Sequence, residues 1–134
     1  MRPRARVVGV VASVLAAALC VAAAPESPRA AIQRTVLQTV EVPGSNYQVI
    51  EAKVEIAANA HVPKHTHPGT VVGYVLSGDY AVQLDGQPPK TVAPGESFVV
   101  PSGVVHEEMT GARAATVIAV FTVEKGKALT SPVS

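Results

Sequence analysis

The sequence predicts an all-β fold, one sandwich or barrel placed after a short apolar leader. Two observations predict it. From Arg34 to Val123 the chain divides into short β-prone segments, separated by turn signals such as Asp85-Gly86 and Thr110-Gly111. No stretch after residue 24 keeps helical periodicity through three turns. With 134 residues, nearly half of them apolar and 16% charged, the chain has material for one domain with a real core.

Residues 1–24 read as a secretory signal. Arg2, Arg4 and Arg6 form a basic start, Val7 to Val21 is apolar, and Ala22-Ala23-Ala24 offers the small residues a signal peptidase needs. Pro25 is a poor residue to follow the cut, so cleavage is expected slightly earlier or near Ala30-Ala31. The mature chain is then expected to begin between about Ala23 and Ile32. Lipidation at Cys20 and an uncleaved anchor are the alternatives; Leu19 argues against the first, and the apolar run is only just long enough to span a bilayer. Export to a secreted or periplasmic location, with no stable membrane insertion after cleavage, is the reading kept. Cys20 has no partner, so no intrachain disulfide can form.

Residues 25–45 form an extension and a first strand. The Pro- and Ala-rich part, 25–33, is expected to be loose, and Thr35 to Val42 is β-prone up to Pro43-Gly44. Tyr47 to Ala57 alternates, with Ile50, Ala52, Val54 and Ile56 on one side and Glu51, Lys53 and Glu55 on the other. Further strands are expected at Val71–Leu76, Tyr80–Leu84, Lys90–Val92, Ser97–Val100, Val104–Met109 and Ala114–Val123. The main domain is set at residues 46–125, and the tail, 126–134, is expected to fray.

Charge narrows the partners. Without the leader the basic residues fall from 11 to 8 against 10 acidic ones, a net charge of −2, and no basic cluster remains. That argues against nucleic acid, which needs clustered positive charge on its phosphates. The expected partner is a small molecule.

Three of the four histidines lie between His61 and Gly78. On an extended backbone His65 and His67 share one face, about 7 Å apart at Cα. Both imidazoles then reach one ion at roughly 2.0–2.2 Å. The fourth histidine, His106, lies in a second stretch, Gly95 to His106.

These two stretches resemble the two motifs of the cupins, small jelly-roll β-barrels with a metal site in the mouth. The first motif places a final Gly after His-x-His and a carboxylate; here His65-Thr66-His67 leads to Gly78. The second runs Gly, five residues, Pro-x-Gly, two residues, His, and Gly95, Pro101, Gly103 and His106 match it in full. The resemblance covers roughly residues 46 to 125. It implies a cupin jelly roll, one divalent metal ion on His65, His67 and His106, and a homodimer paired through its sheets. Fe(II), Zn, Mn and Ni are not distinguished.

The chain departs from the pattern at the ligand carboxylate, which should lie seven residues before Gly78, where Val71 stands. Thr110 replaces the closing Asn of the second motif, and the opening Gly of the first is missing. Val71 shares the parity of His65 and His67 and is expected to face the metal. Glu108, two residues after His106, shares its face and is a candidate fourth ligand or general base; a solvated strand-end Glu is the plainer reading. His61, four residues before His65 at the lip of the site, is a supporting group behind the ligands, a fourth histidine ligand, or a loop histidine in water. Tyr74 and Tyr80 either mark the pocket or sit half-buried on strands.

Three neutral imidazoles leave a divalent ion its full charge and open positions. That favours a bidentate anionic substrate and an Fe(II)-type dioxygenase, although zinc suits three histidines equally well. The alternatives are a non-catalytic module that binds a small ligand or metal, and a metal-free structural cupin.

Overall fold

The computed structural model describes residues 31–134. The leader, its cleavage region and Cys20 lie outside the described residues. Among the described residues ten strands form two five-stranded antiparallel sheets. In chain order they are β1 (Ile32–Glu41), β2 (Tyr47–Ile56), β3 (His61–Thr66), β4 (Gly69–Ser77), β5 (Tyr80–Leu84), β6 (Lys90–Val92), β7 (Ser97–Val100), β8 (His106–Thr110), β9 (Ala115–Glu124) and β10 (Ser131–Pro132). One sheet has the order β1-β2-β9-β4-β7, the other β10-β3-β8-β5-β6. This is the jelly-roll arrangement, in which most neighbouring strands are distant in sequence and only β1–β2 and β5–β6 are consecutive.

The alternation read in the sequence decides what each sheet buries. Ala52, Val54 and Ile56 of β2, Val71 and Val75 of β4, and Ala115 through Val123 in steps of two on β9 face the core. The intervening Val72, Tyr74 and Leu76 of β4, with Val99 of β7, form an exposed apolar row on the outside. The second sheet contributes Tyr80, Val82 and Val92 to the core, and its remaining inner face carries the histidines.

Two glycines shape this packing. Gly73 faces inward opposite Phe98, and a Cβ there would lie 2.2 Å from the Phe98 ring. Its missing side chain is the space in which Phe98 lies, stacked on Tyr80 with ring centroids 5.0 Å apart. Gly78, at φ +90°, makes the turn from β4 to β5, and an added Cβ would meet the Ala114 carbonyl oxygen at 2.0 Å.

Two expectations need correction, and a third, left conditional, is met. The first strand begins at Ile32, inside the stretch expected to be loose. Residues 61–66, expected only conditionally as extended, form β3; a register irregularity between Val62 and His65 breaks the alternation across Pro63-Lys64. The tail does not fray: β10 pairs with β3, with Ser131 opposite Thr66 and Pro132 opposite His65, and Leu129 packs on the core.

Candidate metal centre

His65 and His106 are Cα partners on β3 and β8, and His67 follows just beyond the end of β3. The irregularity in β3 makes this possible, because it returns His65 to the inner face after Val62 already points in. All three imidazoles are buried, at 5%, 5% and 1% exposure respectively for His65, His67 and His106. One nitrogen from each lies within 4.8 Å of the others, so the three are positioned to hold a metal ion.

Their tautomers follow from hydrogen bonding. Nδ1 of His65 lies 2.8 Å from the Pro63 carbonyl, Nδ1 of His67 lies 2.7 Å from that of Leu129, and Nδ1 of His106 lies 3.0 Å from that of Val104. A carbonyl only accepts, so each Nδ1 carries a proton, and in the neutral ring Nε2 is then the nitrogen that keeps its lone pair. This is the ligand state, with orientation supplied by backbone. Burial, ahead of the neighbouring imidazoles, lowers the His67 pKa to about 4. Burial likewise lowers that of His106. Both are neutral near pH 7.

Glu108 is half-buried beside them, on the inner face of β8, with its carboxylate turned into the cavity. Its Oε2 has no hydrogen-bond partner among the described residues and stands 3.9 Å from His65 Nε2. A buried carboxylate oxygen without a donor is costly unless a cation or ligand meets it. The donor set therefore fits a divalent ion: three imidazole nitrogens and an adjoining oxygen. Burial raises the Glu108 pKa, against the opposing pull of His65, Arg34 and the Tyr80 hydroxyl. Tyr80 donates to Glu108 Oε1 at 3.5 Å, and burial, followed by the carboxylate, raises the Tyr80 pKa well above its ordinary value.

The histidines and Glu108 open into a cavity of about 470 Å³. Val71 lines it, buried between Val100 and Phe121 on its two neighbouring strands, so the position where the family carries its carboxylate faces the same space. His61 does not line it: its Nε2 pairs with Glu107 Oε2 at 2.6 Å on the outer side of the sheet. Tyr80 belongs to the cavity wall, whereas Tyr74 is exposed. Thr110 carries a structural hydrogen bond to the Ala57 carbonyl at 2.5 Å, which ties β8 to the β2–β3 loop.

Two contributors were not foreseen. Leu129 supplies the carbonyl that orients His67, from 62 residues away. Arg34 of β1 also lines the cavity. The signal for Arg34 was available, because it shares its parity with Ile32 and stands opposite inward-facing Val54. A charged residue in a polar strand reads first as solvated.

Comparison with known proteins agrees with this architecture. The chain is 38% identical over 87 residues to the rhicadhesin receptor of Pisum sativum, covering 60% of this chain and 40% of that protein. It is 32% identical over 57 residues to the dimethylsulfoniopropionate lyase DddQ of Ruegeria pomeroyi, covering 42% of this chain and 28% of the lyase. The crystal structure of DddQ superposes with a TM-score of 0.65 at 22% identity, over 76% of this chain and 51% of that one. A salicylate 1,2-dioxygenase from Pseudaminobacter salicylatoxidans superposes with a TM-score of 0.51 at 20% identity, over 55% of this chain and 20% of that one. The chain thus spans less than half the length of these two curated relatives. The model of the cupin domain matches residues 52–121, a span that contains all three inward histidines and most of the strands around them, and the chain belongs to the cupin domain family.

Proposed function

We propose that the chain is an exported, metal-dependent cupin enzyme that oxygenates a small chelating organic substrate. The observation that carries this reading is the convergence of three imidazoles on one side of a cavity with largely apolar walls. His65, His67 and His106 would hold the ion. A bound divalent ion would supply Lewis-acid polarisation of a chelating anion and, if it is iron, one-electron chemistry with dioxygen.

The chain's own residues supply the rest. The neutral histidines leave the charge of the ion uncancelled, so an anionic chelator is preferred to a neutral one. Val71, Val100 and Phe121 keep water from that face of the substrate. Glu108 Oε2 takes the proton released as the substrate becomes an enolate or similar anion; its raised pKa makes it the stronger base, and Tyr80 holds Oε1. Export and pairing of two copies belong to the same reading. The outer row of Val72, Tyr74 and Leu76 offers the second copy an apolar face.

A second reading, a binding module without turnover, has support in the match to a protein named as a receptor. Loading the purified chain with Fe(II), Mn(II) and Zn(II) in turn, then measuring oxygen uptake with small carboxylates and diketones, separates the two. Iron-dependent uptake that falls about 100-fold or more in Glu108→Gln is expected. Substrate loss without oxygen uptake would instead indicate elimination chemistry, of the kind named for DddQ. Stoichiometric metal with no turnover would favour the binding module.

A further inference from the structure

Arg34 is a charged side chain of the cavity wall that the proposed chemistry leaves unused. It stands on β1, paired across the sheet with Val54, and both residues line the cavity. Its guanidinium lies over the Phe121 ring, 5.4 Å from the centroid, and Phe121 in turn packs edge-on against His67 with centroids 5.1 Å apart. One nitrogen donates to Thr130 Oγ1 at 3.2 Å. Among the described residues Arg34 forms no ion pair, although Glu108 is near enough to raise its pKa against the larger lowering by burial. Lys64, the other cation of the wall, is already bound to Asp85 at 2.9 Å.

A guanidinium has five N–H donors in a planar fork. Here one is used by Thr130, and the plane is steadied by an aromatic ring and by the docked tail. A fork with free donors, held beside apolar walls, matches a planar carboxylate bound through two parallel hydrogen bonds. We propose that Arg34 is the specificity residue of the cavity and binds the carboxylate of a small organic acid whose apolar body rests against Phe121. This deepens the enzymatic reading by naming its substrate class, and rests on that reading only for the chemistry that follows binding.

The test compares benzoate with benzamide, which share a shape and differ in charge, by calorimetry on metal-free and on Co(II)-loaded protein. In the metal-free protein the wild type should prefer benzoate by about tenfold or more, the scale of charge-assisted hydrogen bonds. Arg34→Met keeps an apolar chain over Phe121 and should bring the ratio to about one. Arg34→Lys keeps the charge without the fork and should fall between. The assignment is overturned if metal-free wild type does not discriminate, or if Arg34→Met discriminates as well as wild type. It is equally overturned if the preference appears only with cobalt and is the same in both proteins, since the ion alone would then hold the carboxylate. Failure to take up cobalt would refute the metal-dependent reading, while the metal-free titration still decides Arg34.

Discussion

His65 and His106 are direct cross-strand partners, with ring centroids 4.2 Å apart, although they belong to different motifs and four strands lie between theirs in the sequence. Cross-strand neighbours on one face are the closest side-chain pairs that a sheet offers. The site is thus a property of the β3–β8 pairing, and it is as rigid as that pairing.

Replacing His106 with Ala should lower divalent-ion affinity by more than about 100-fold, beyond the 10- to 100-fold typical of losing an outer partner. The β-rich circular dichroism should survive, because Val82 and the β9 core do not depend on the imidazole. Metal content at full stoichiometry in the variant would show that the ion is held elsewhere.

Val71→Glu should place a carboxylate in the cavity where the family carries one. In metal-free protein the melting temperature should fall, since a charge is then buried among Val100 and Phe121 without a partner, at a cost of several kcal/mol. Divalent ion should restore stability and bind more tightly than to wild type, while an anionic chelator should bind more weakly. Paired titrations of the two proteins check this. Unchanged metal affinity would mean that the position does not face the ion.

Acid should weaken the metal-free protein through its histidines. The folded pKa of His67, about 4, lies below its ordinary 6.5, and that of His106 is shifted in the same direction. The unfolded chain therefore takes up protons more readily as pH falls below 6.5. Stability contributed by the neutral imidazoles is complete above 6.5 and is lost between 6.5 and about 4. Divalent-ion affinity should decline over the same window, because protons and metal compete for Nε2. Thermal melts and metal titrations between about pH 7 and pH 5 measure both. Flat profiles would contradict the assigned burial.

Deleting residues 128–134 should leave the two sheets folded, because β10 contributes only a two-residue edge. It removes the Leu129 carbonyl that orients His67 and the hydroxyl that steadies Arg34. Metal affinity should fall about 10- to 100-fold. Calorimetry on the shortened chain checks it, and an unaltered affinity would mean that the tail plays no part in ligand orientation.

Most of the architecture was legible because period-two alternation and turn glycines are local signals. β5, β6 and β7 begin and end where the pattern places them. The three histidines were legible because their spacing to Gly78, Pro101 and Gly103 follows the two motifs. What escaped depends on contacts across the chain. Pro63-Lys64 interrupts the alternation, so β3 does not look like a strand until β8 pairs with it. The inward turn of Glu108 was one of two readings, and only burial distinguishes it from a solvated side chain. Leu129 acts through its carbonyl, which every residue possesses, so no residue type could have marked it.

The bond from His67 to Leu129 also has a place in time. At about 5–20 residues per second, the 62 positions between them take roughly 3–12 s to synthesise. His106 is made before Leu129, so only in the last part of that interval can His65 meet His106 while the third imidazole still lacks its anchor. An ion encountered by the nascent chain meets a two-armed clasp with a swinging third arm.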